Sequence, residues 1–102
     1  MIRVIATVEL RANARQQFLE EVAALRPDVL AEEGCLEYSV FIDVPSGLAP
    51  QIPLRDDVVT FMEQWATLDA LSAHAVAPHM QAYRKRVASL VVKTSLQVLR
   101  SP

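Results

Sequence analysis

Four segments of the chain alternate between apolar and polar side chains, which is the period of a β-strand with one buried face. In Ile2–Leu10 every second residue is apolar. The same alternation extends over most of three later segments, which are Leu36–Val44, Asp57–Trp65 and Leu90–Leu99. The pattern therefore predicts four strands.

The strand Asp57–Trp65 carries an acid on an otherwise apolar face. Alternation places four residues on this face: Val59, Phe61, Glu63 and Trp65. A carboxylate buried among apolar groups costs free energy unless it is paired or protonated. Glu63 is therefore the first candidate for a functional residue.

A helix is predicted between the first two strands, because apolar residues recur there at helical spacing. Asn13 is the expected N-cap, with Gln16 in the capping-box position. Pro27 removes one backbone donor and predicts a kink within a single helix. Gly34 is the expected helix stop. The apolar stripe consists of Phe18, Val22, Leu25 and Val29, widened by Leu19 and Leu30.

Two short helices are predicted between the third and fourth strands. Thr67 is positioned to cap the first, which extends to about His74. Leu68 and Leu71 are expected to face inward. A proline suits the first position of the second helix, which is predicted at Pro78–Val87.

The order β–α–β–β–α–β predicts a single α+β domain over residues 1–102, a ferredoxin-like sandwich with helices on one face of a four-stranded antiparallel sheet. The opposite sheet face would still carry apolar residues. We therefore expect a homodimer packed sheet against sheet. The uncharged segment Pro45–Pro53 is predicted to be an irregular arm that such a partner would cover.

Composition narrows the function classes. A net charge of −2 gives no reason to expect a nucleic-acid partner, and the basic run Arg84–Arg86 suits a helix C-terminus. Cys35 is the only cysteine, so neither an internal disulfide nor a thiolate metal cluster is expected. The chain shows no signal-peptide core and no membrane-spanning run. We therefore expect a cytoplasmic protein without a membrane partner.

Two segments carry a combined motif that resembles a known family. EEGCLEY at Glu32–Tyr38 is followed by FMEQWATLDALSAHAVAPHMQAY at Phe61–Tyr83. Over essentially its whole length the chain resembles the antibiotic biosynthesis monooxygenase superfamily, and in particular its small quinol-monooxygenase-like members. The matching positions are Glu32, Glu33, Gly34, Cys35, Tyr38, Glu63, Trp65, His74, Pro78 and His79.

The resemblance implies a dimeric α+β barrel with a pocket between the sheet and the helices of each subunit. It also implies oxidation of a quinol or another aromatic molecule by O₂, without flavin, haem or metal. The superfamily includes an isomerase of a phosphorylated dione and haem-degrading enzymes as well. The resemblance therefore indicates the pocket more firmly than the reaction.

Glu63 and His79 are the predicted catalytic pair. An oxygenase without a cofactor needs a deprotonated phenol or quinol to supply electrons, and histidine is the side chain best suited to act as the base near neutral pH. A buried carboxylate would orient the imidazole or stabilise its charge. The alternative is a structural pair that holds a helix on the sheet.

Aromatic and sulfur-containing side chains around this pair would form a pocket for a planar ring, although they suit a plain core equally well. Trp65 is favoured as a pocket residue because its indole N–H needs an internal partner. His74 lies near a helix end, where a positive charge stabilises the terminus. The predicted substrate-binding residues are Trp65, Tyr83, Phe61, Tyr38, Met80 and His74.

A metal site is the alternative use of the two histidines, since two imidazoles and a carboxylate can form a facial triad. His74 and His79 lie on different helices with Pro78 between them, so their rings need not converge. We therefore expect no metal.

Four functions remain open at this point. The first is a cofactor-independent monooxygenase that acts on a quinol. The second is an isomerase or lyase of a small phosphorylated carbonyl compound that uses the same base. The third is haem breakdown, and the fourth is a dimer that binds a small aromatic molecule without changing it.

Overall fold

The computed structural model describes residues 1–102 and contains one four-stranded antiparallel sheet with three helices. The strands are Ile2–Leu10 (β1), Cys35–Phe41 (β2), Val58–Trp65 (β3) and Val91–Leu99 (β4). The helices are Arg15–Leu30 (α1), Leu68–Val76 (α2) and Pro78–Val87 (α3). The strand order β2-β3-β1-β4 confirms the predicted ferredoxin-like α+β fold. None of the helices has both the length and the apolar character needed to cross a membrane.

The core lies between the central strands β1 and β3 and the helices. Every residue predicted to face inward from these two strands is buried, including Glu63. The stripe of α1 covers them, and Phe18 and Val29 are fully buried within it. The period of 2 in the strands and the helical spacing in α1 thus give one continuous apolar core.

The beginning and the end of α1 differ from the prediction. Ala14 occupies the N-cap position without a side-chain hydrogen bond, so the capping role predicted for Asn13 and Gln16 is wrong. Asn13 has a φ of 65°, a left-handed conformation that turns the chain, whereas a capping side chain requires an extended backbone. The helix includes Pro27 and ends at Leu30.

Gly34 lies beyond the end of α1, in the turn that leads into β2, and is therefore not the helix stop that was predicted. Its φ of 80° is in the left-handed region. A Cβ at this position would lie 2.7 Å from Cβ of Ala70 in α2. The Gly34 carbonyl also accepts a hydrogen bond of 2.8 Å from the N–H of Ala66. The missing side chain thus allows the turn after α1 to pack directly against α2.

The N-terminus of α2 is capped as predicted, since Oγ1 of Thr67 accepts the N–H of Ala70 at 3.1 Å. The helix continues to Val76, beyond His74. The inward orientation predicted for Leu68 is wrong, because this side chain is 57% exposed. α2 turns Leu71 and His74 toward the core, whereas Leu68 is the first residue of the helix and lies at its exposed end.

The second helix of this pair begins at Pro78, as predicted. Its Pro is in the first turn, where a missing backbone N–H costs little. Met80, Tyr83 and Val87 are the buried residues of α3. They close the core over β1 and β3.

Strand β2 is shorter than predicted and ends at Phe41. The register shifts between Cys35 and Glu37, and this irregularity leaves Leu36 56% exposed instead of on the same face as buried Tyr38. Beyond Phe41 the chain has no regular structure until β3, which confirms that the segment around Pro45–Pro53 is irregular.

This irregular segment is closed near its base by an ion pair and exposes apolar side chains along its length. Arg55 donates two hydrogen bonds of 2.9 Å to the two carboxylate oxygens of Asp43. The exposed apolar residues are Ile42, Val44, Leu48, Ile52 and Leu54. We call residues 42–57 the arm.

Candidate active site

A cavity of about 650 Å³ lies between the sheet and the helices α2 and α3. Its volume is in the range of small-molecule sites. Of its 19 lining residues 14 are hydrophobic, so the few polar groups decide which ligand it can hold. The polar lining residues are Glu63, Ser72, His74, Arg84 and Thr94, to which the hydroxyl groups of Tyr38 and Tyr83 are added.

Glu63 is held by its neighbour on the same strand face. The indole Nε1–H of Trp65 donates to Oε1 of Glu63 at 2.9 Å. Trp65 is fully buried and does not line the cavity, whereas Glu63 does. The prediction that Trp65 finds an internal partner is therefore confirmed, and that partner is the acid two residues before it.

Burial raises the pKa of the Glu63 carboxyl above its ordinary value of 4.5. The hydrogen bond from Trp65 and the neighbouring His74 lower it in part, and the charge of Glu32 adds to the increase. Oε2 has no hydrogen-bond partner in the protein. Because every fully buried side-chain oxygen or nitrogen does have a partner, Oε2 must be accessible. Glu63 thus presents one free oxygen to the cavity and keeps its proton to a higher pH than an ordinary glutamate.

A second carboxylate, Glu32, lies behind the cavity wall and joins both histidines. Its Oε2 is 2.8 Å from Nδ1 of His74 and 2.8 Å from Nε2 of His79. Because a carboxylate oxygen only accepts hydrogen bonds, each imidazole must present an N–H at that nitrogen. The turn after α1, the last turn of α2 and the first turn of α3 thus meet at one oxygen atom. We call Glu32, His74 and His79 the Glu32 cluster.

His74 is the member of the Glu32 cluster that reaches the cavity. Its ring lies 4.6 Å from the ring of Trp65 between centroids, and 5.7 Å from the ring of Tyr38. With Nδ1 bound to Glu32, Nε2 has no protein partner and remains accessible. His74 lies in the last turn of α2, as predicted, and also presents an imidazole nitrogen to the cavity.

The structure separates the two residues that were predicted to pair. Glu63 is hydrogen-bonded to Trp65, and His79 is hydrogen-bonded to Glu32. His79 does not line the cavity, and its side chain is 26% exposed. His79 lies at the N-terminal end of α3, where its Nε2 reaches Glu32 in the turn after α1, whereas the next residue, Met80, and Tyr83 one turn later line the cavity.

The remaining predicted pocket residues line the cavity. The Tyr38 and Phe61 rings are 5.4 Å apart, and Tyr83 and Met80 face them from α3. Burial raises the pKa of both tyrosine hydroxyls, so they are neutral donors over the physiological range. All four residues also belong to the buried core, so they serve both as cavity wall and as core.

No role is predicted for Glu32 from the sequence, although it is the residue that joins the two histidines. It lies 42 residues from His74 and 47 from His79 along the chain. Its only signal was its position in the E-E-G motif directly before Gly34. No group of three or more His, Cys, Asp or Glu residues is arranged to hold a metal ion.

Residues 1–86 match the profile of a family described as antibiotic biosynthesis monooxygenase. The chain is 35% identical over 102 residues to the Escherichia coli K12 protein named "Probable quinol monooxygenase YgiN", an alignment that covers 98% of this chain and 97% of that protein.

Two solved structures share the fold at lower identity. A conserved protein from Methanosarcina mazei has a TM-score of 0.82 at 22% identity, with 99% of this chain and 92% of that chain covered. Rv0793 from Mycobacterium tuberculosis has a TM-score of 0.78 at 24% identity, with 99% and 94% covered. The family match, the full-length relative and the shared fold agree with the resemblance seen in the motif, and the chain belongs to the antibiotic biosynthesis monooxygenase family.

Proposed function

We propose that this protein is a monooxygenase that oxidises a quinol or a related aromatic small molecule with O₂ inside the cavity. The observation that carries the proposal is an apolar cavity whose wall holds a free imidazole nitrogen, from His74, and a free carboxyl oxygen, from Glu63. Membership of the monooxygenase family and the full-length likeness to a protein named as a probable quinol monooxygenase support the reaction type.

The shape and polarity of the cavity favour a flat ring with polar substituents. Tyr38, Phe61 and Met80 supply apolar surface for the faces of such a ring. The hydroxyl groups of Tyr38 and Tyr83 have no protein partner, so they are available to bind substrate oxygens. A quinol, with an aromatic ring and two hydroxyl groups, satisfies both features.

In this proposal His74 Nε2 takes the proton of a quinol hydroxyl, and the resulting anion is electron-rich enough to react with O₂. The negative charge of Glu32 behind Nδ1 stabilises the imidazolium that forms. One oxygen atom enters the ring and the other leaves as water. The substrate supplies all four electrons that reduce O₂, and it becomes a hydroxyquinone.

Glu63 has the complementary role in the proposed reaction. Because burial raises its pKa, Glu63 keeps its proton to a higher pH than an ordinary glutamate, and in the proposed reaction it gives that proton to the oxygen atom that leaves as water. Its free oxygen Oε2 is available on the cavity side, while Oε1 is held by Trp65. One acid and one base thus lie in the same apolar wall.

The proposal includes a homodimer. The sheet face opposite the helices carries Ile5 paired with Met62 at its centre, and Met62 is 44% exposed. On the helix side of the sheet, Leu96 and Val98 of the edge strand β4 pair with Ala6 and Val4 but remain exposed, as do the apolar side chains of the arm. Light scattering coupled to gel filtration should give twice the chain mass of 11.3 kDa, and a monomer mass would contradict this part of the proposal.

Oxygen uptake tests the proposed reaction. A panel of hydroquinones and naphthohydroquinones is mixed with the protein in an oxygen electrode, with heat-denatured protein as the control for spontaneous oxidation. We expect one O₂ consumed per quinol and no turnover under nitrogen. Turnover that continues without O₂ would contradict a monooxygenase.

Arg84 favours a second candidate, an isomerase of a small phosphorylated carbonyl compound. Its side chain is exposed and lines the cavity, where a guanidinium can bind a phosphate group. The same base, His74, could remove a proton next to a carbonyl. Exchange of substrate hydrogen for deuterium in D₂O, without O₂ uptake, would support this function over the monooxygenase.

A further inference from the structure

We propose that Glu32 is a positioning residue that fixes the tautomer of His74, and that His79 in turn holds Glu32 in place. This inference rests on the proposed function, in which Nε2 of His74 is the base. Neither Glu32 nor His79 lines the cavity, so both act through His74.

The tautomer follows from the hydrogen bonds. A neutral imidazole has one N–H and one acceptor nitrogen. Glu32 Oε2 accepts from Nδ1 of His74 at 2.8 Å, so the proton of the neutral ring is on Nδ1. Nε2 is then unprotonated on the cavity side, which is the state a base requires. Without Glu32 nothing in the protein would select this tautomer, because Nδ1 has no other partner.

His79 has a matching role on the other side of Glu32. Its Nε2 lies 2.8 Å from the same oxygen, and its partly exposed ring forms the outer wall of the cluster. A glutamate side chain has three rotatable bonds, and two donors from different helices restrict it far more than one. His79 is therefore predicted to matter for the orientation of His74 although it touches no substrate.

The turn that carries Glu32 is itself held rigidly. Gly34, two residues later, packs against Ala70 of α2 so closely that no Cβ would fit. The N–H of Ala66 is bound to its carbonyl. Glu32 and His74 are thus carried by two backbone segments in direct contact, which makes their hydrogen bond a fixed feature of the fold.

Glu32→Ala tests the inference, and nitrogen-15 NMR of the imidazoles reports the tautomer without any need for activity. We expect His74 in the wild type to carry its proton on Nδ1, and Glu32→Ala to move it largely to Nε2. We also expect kcat for the quinol to fall about 10²-fold, with KM changed less than about twofold because Glu32 does not touch the ligand. Glu33→Ala removes the same charge from the next residue, which is exposed, and is the matched control.

A second variant keeps the inference testable if Glu32→Ala folds poorly. Glu32→Gln retains an oxygen that accepts from His74, so it should keep the Nδ1–H tautomer while kcat falls about tenfold from the loss of charge. His79→Ala should lower kcat about tenfold, and His79→Gln, which retains an N–H close to the place of Nε2, should recover most of that loss.

The outcomes separate this inference from the proposed function. An Nε2–H tautomer of His74 in the wild type, or unchanged tautomer and kcat in Glu32→Ala, would overturn the positioning role even if the protein consumes O₂. Conversely, an Nδ1–H tautomer that depends on Glu32, in a protein that oxidises no quinol, would leave the positioning role intact and reject the monooxygenase.

Discussion

Two carboxylates, one in the wall of the cavity and one behind it, lie in regions of very different construction. Glu63 lies on the central strand β3, and its partner Trp65 is two residues away on the same strand face. Glu32 lies in the turn after α1, and its partners come from two other helices. Glu63 presents a free oxygen to the cavity, whereas Glu32 acts from behind the wall.

In the proposed reaction, this difference would allow an acid and a base to work in one apolar site. Glu63 accepts one hydrogen bond from a neutral indole in a desolvated wall, which raises its pKa and favours the protonated acid. Glu32 accepts hydrogen bonds from two imidazoles, so its carboxylate lies where it can stabilise an imidazolium. The environment therefore assigns the two roles, not the residue type.

The largest expected effect is on kcat, and it comes from replacing His74, the member of the Glu32 cluster that reaches the cavity. In His74→Asn the side-chain amide can still donate to Glu32 near the place of Nδ1, but the base at Nε2 is gone. We expect kcat to fall about 10³-fold, with the midpoint of thermal unfolding nearly unchanged. Oxygen uptake and thermal unfolding measured on the same preparation check both parts. Wild-type kcat in this variant would show that the base lies elsewhere.

A smaller effect is expected from disturbing the turn that carries Glu32. Gly34→Ala places a Cβ 2.7 Å from Cβ of Ala70 at a φ of 80°, and it should lower the free energy of unfolding by roughly 2–4 kcal/mol from overpacking and left-handed strain together.

Gly47→Ala is the matched control for Gly34→Ala. Gly47 has a φ of 75° but no atom within 4 Å of a built Cβ, so only the backbone strain of roughly 1–2 kcal/mol applies. Urea unfolding of both variants checks the difference. Equal losses would mean that the contact with Ala70 does not restrict the turn.

The smallest expected effect on stability concerns Glu63, and it depends on pH. Because the pKa of Glu63 is raised in the folded protein, the folded state holds this proton more tightly than the unfolded chain does. The free energy of unfolding therefore falls as pH rises from the ordinary value through the folded pKa. Glu63→Gln removes this loss and keeps an oxygen for Trp65.

We expect Glu63→Gln and the wild type to unfold at similar temperatures at pH 4. The variant should become more stable relative to the wild type as the pH approaches 8, by about 4–8 °C for each kcal/mol. Calorimetry across this range checks the prediction, with Glu33→Gln as the exposed control. A difference between the two proteins that does not change with pH would mean that burial does not raise the pKa of Glu63.

The sequence predicted the Glu63 side of the comparison well, because it is local. Alternation with a period of 2 placed Val59, Phe61, Glu63 and Trp65 on one face, and all four are buried there. The need of a buried indole N–H for a partner then indicated a contact for Trp65. Both inferences use only neighbours along one strand.

The hydrogen bonds of Glu32 could not be predicted from neighbours along one strand. Its hydrogen bonds join a turn to two helices, and they depend on how closely that turn approaches α2 at Gly34. Periodicity identifies which side of a helix faces inward, but not which other element meets it. His79 was therefore paired with the acid on the predicted strand, whereas its position in the first turn of α3 brings it to Glu32.

The most direct test of the central claim is isotope labelling of the reaction with ¹⁸O₂. Quinol oxidation by the wild-type protein should give a hydroxyquinone that contains one labelled oxygen atom, with the second recovered in water. His74→Asn should give almost none of this product. A product that contains only unlabelled oxygen would contradict monooxygenation in this cavity.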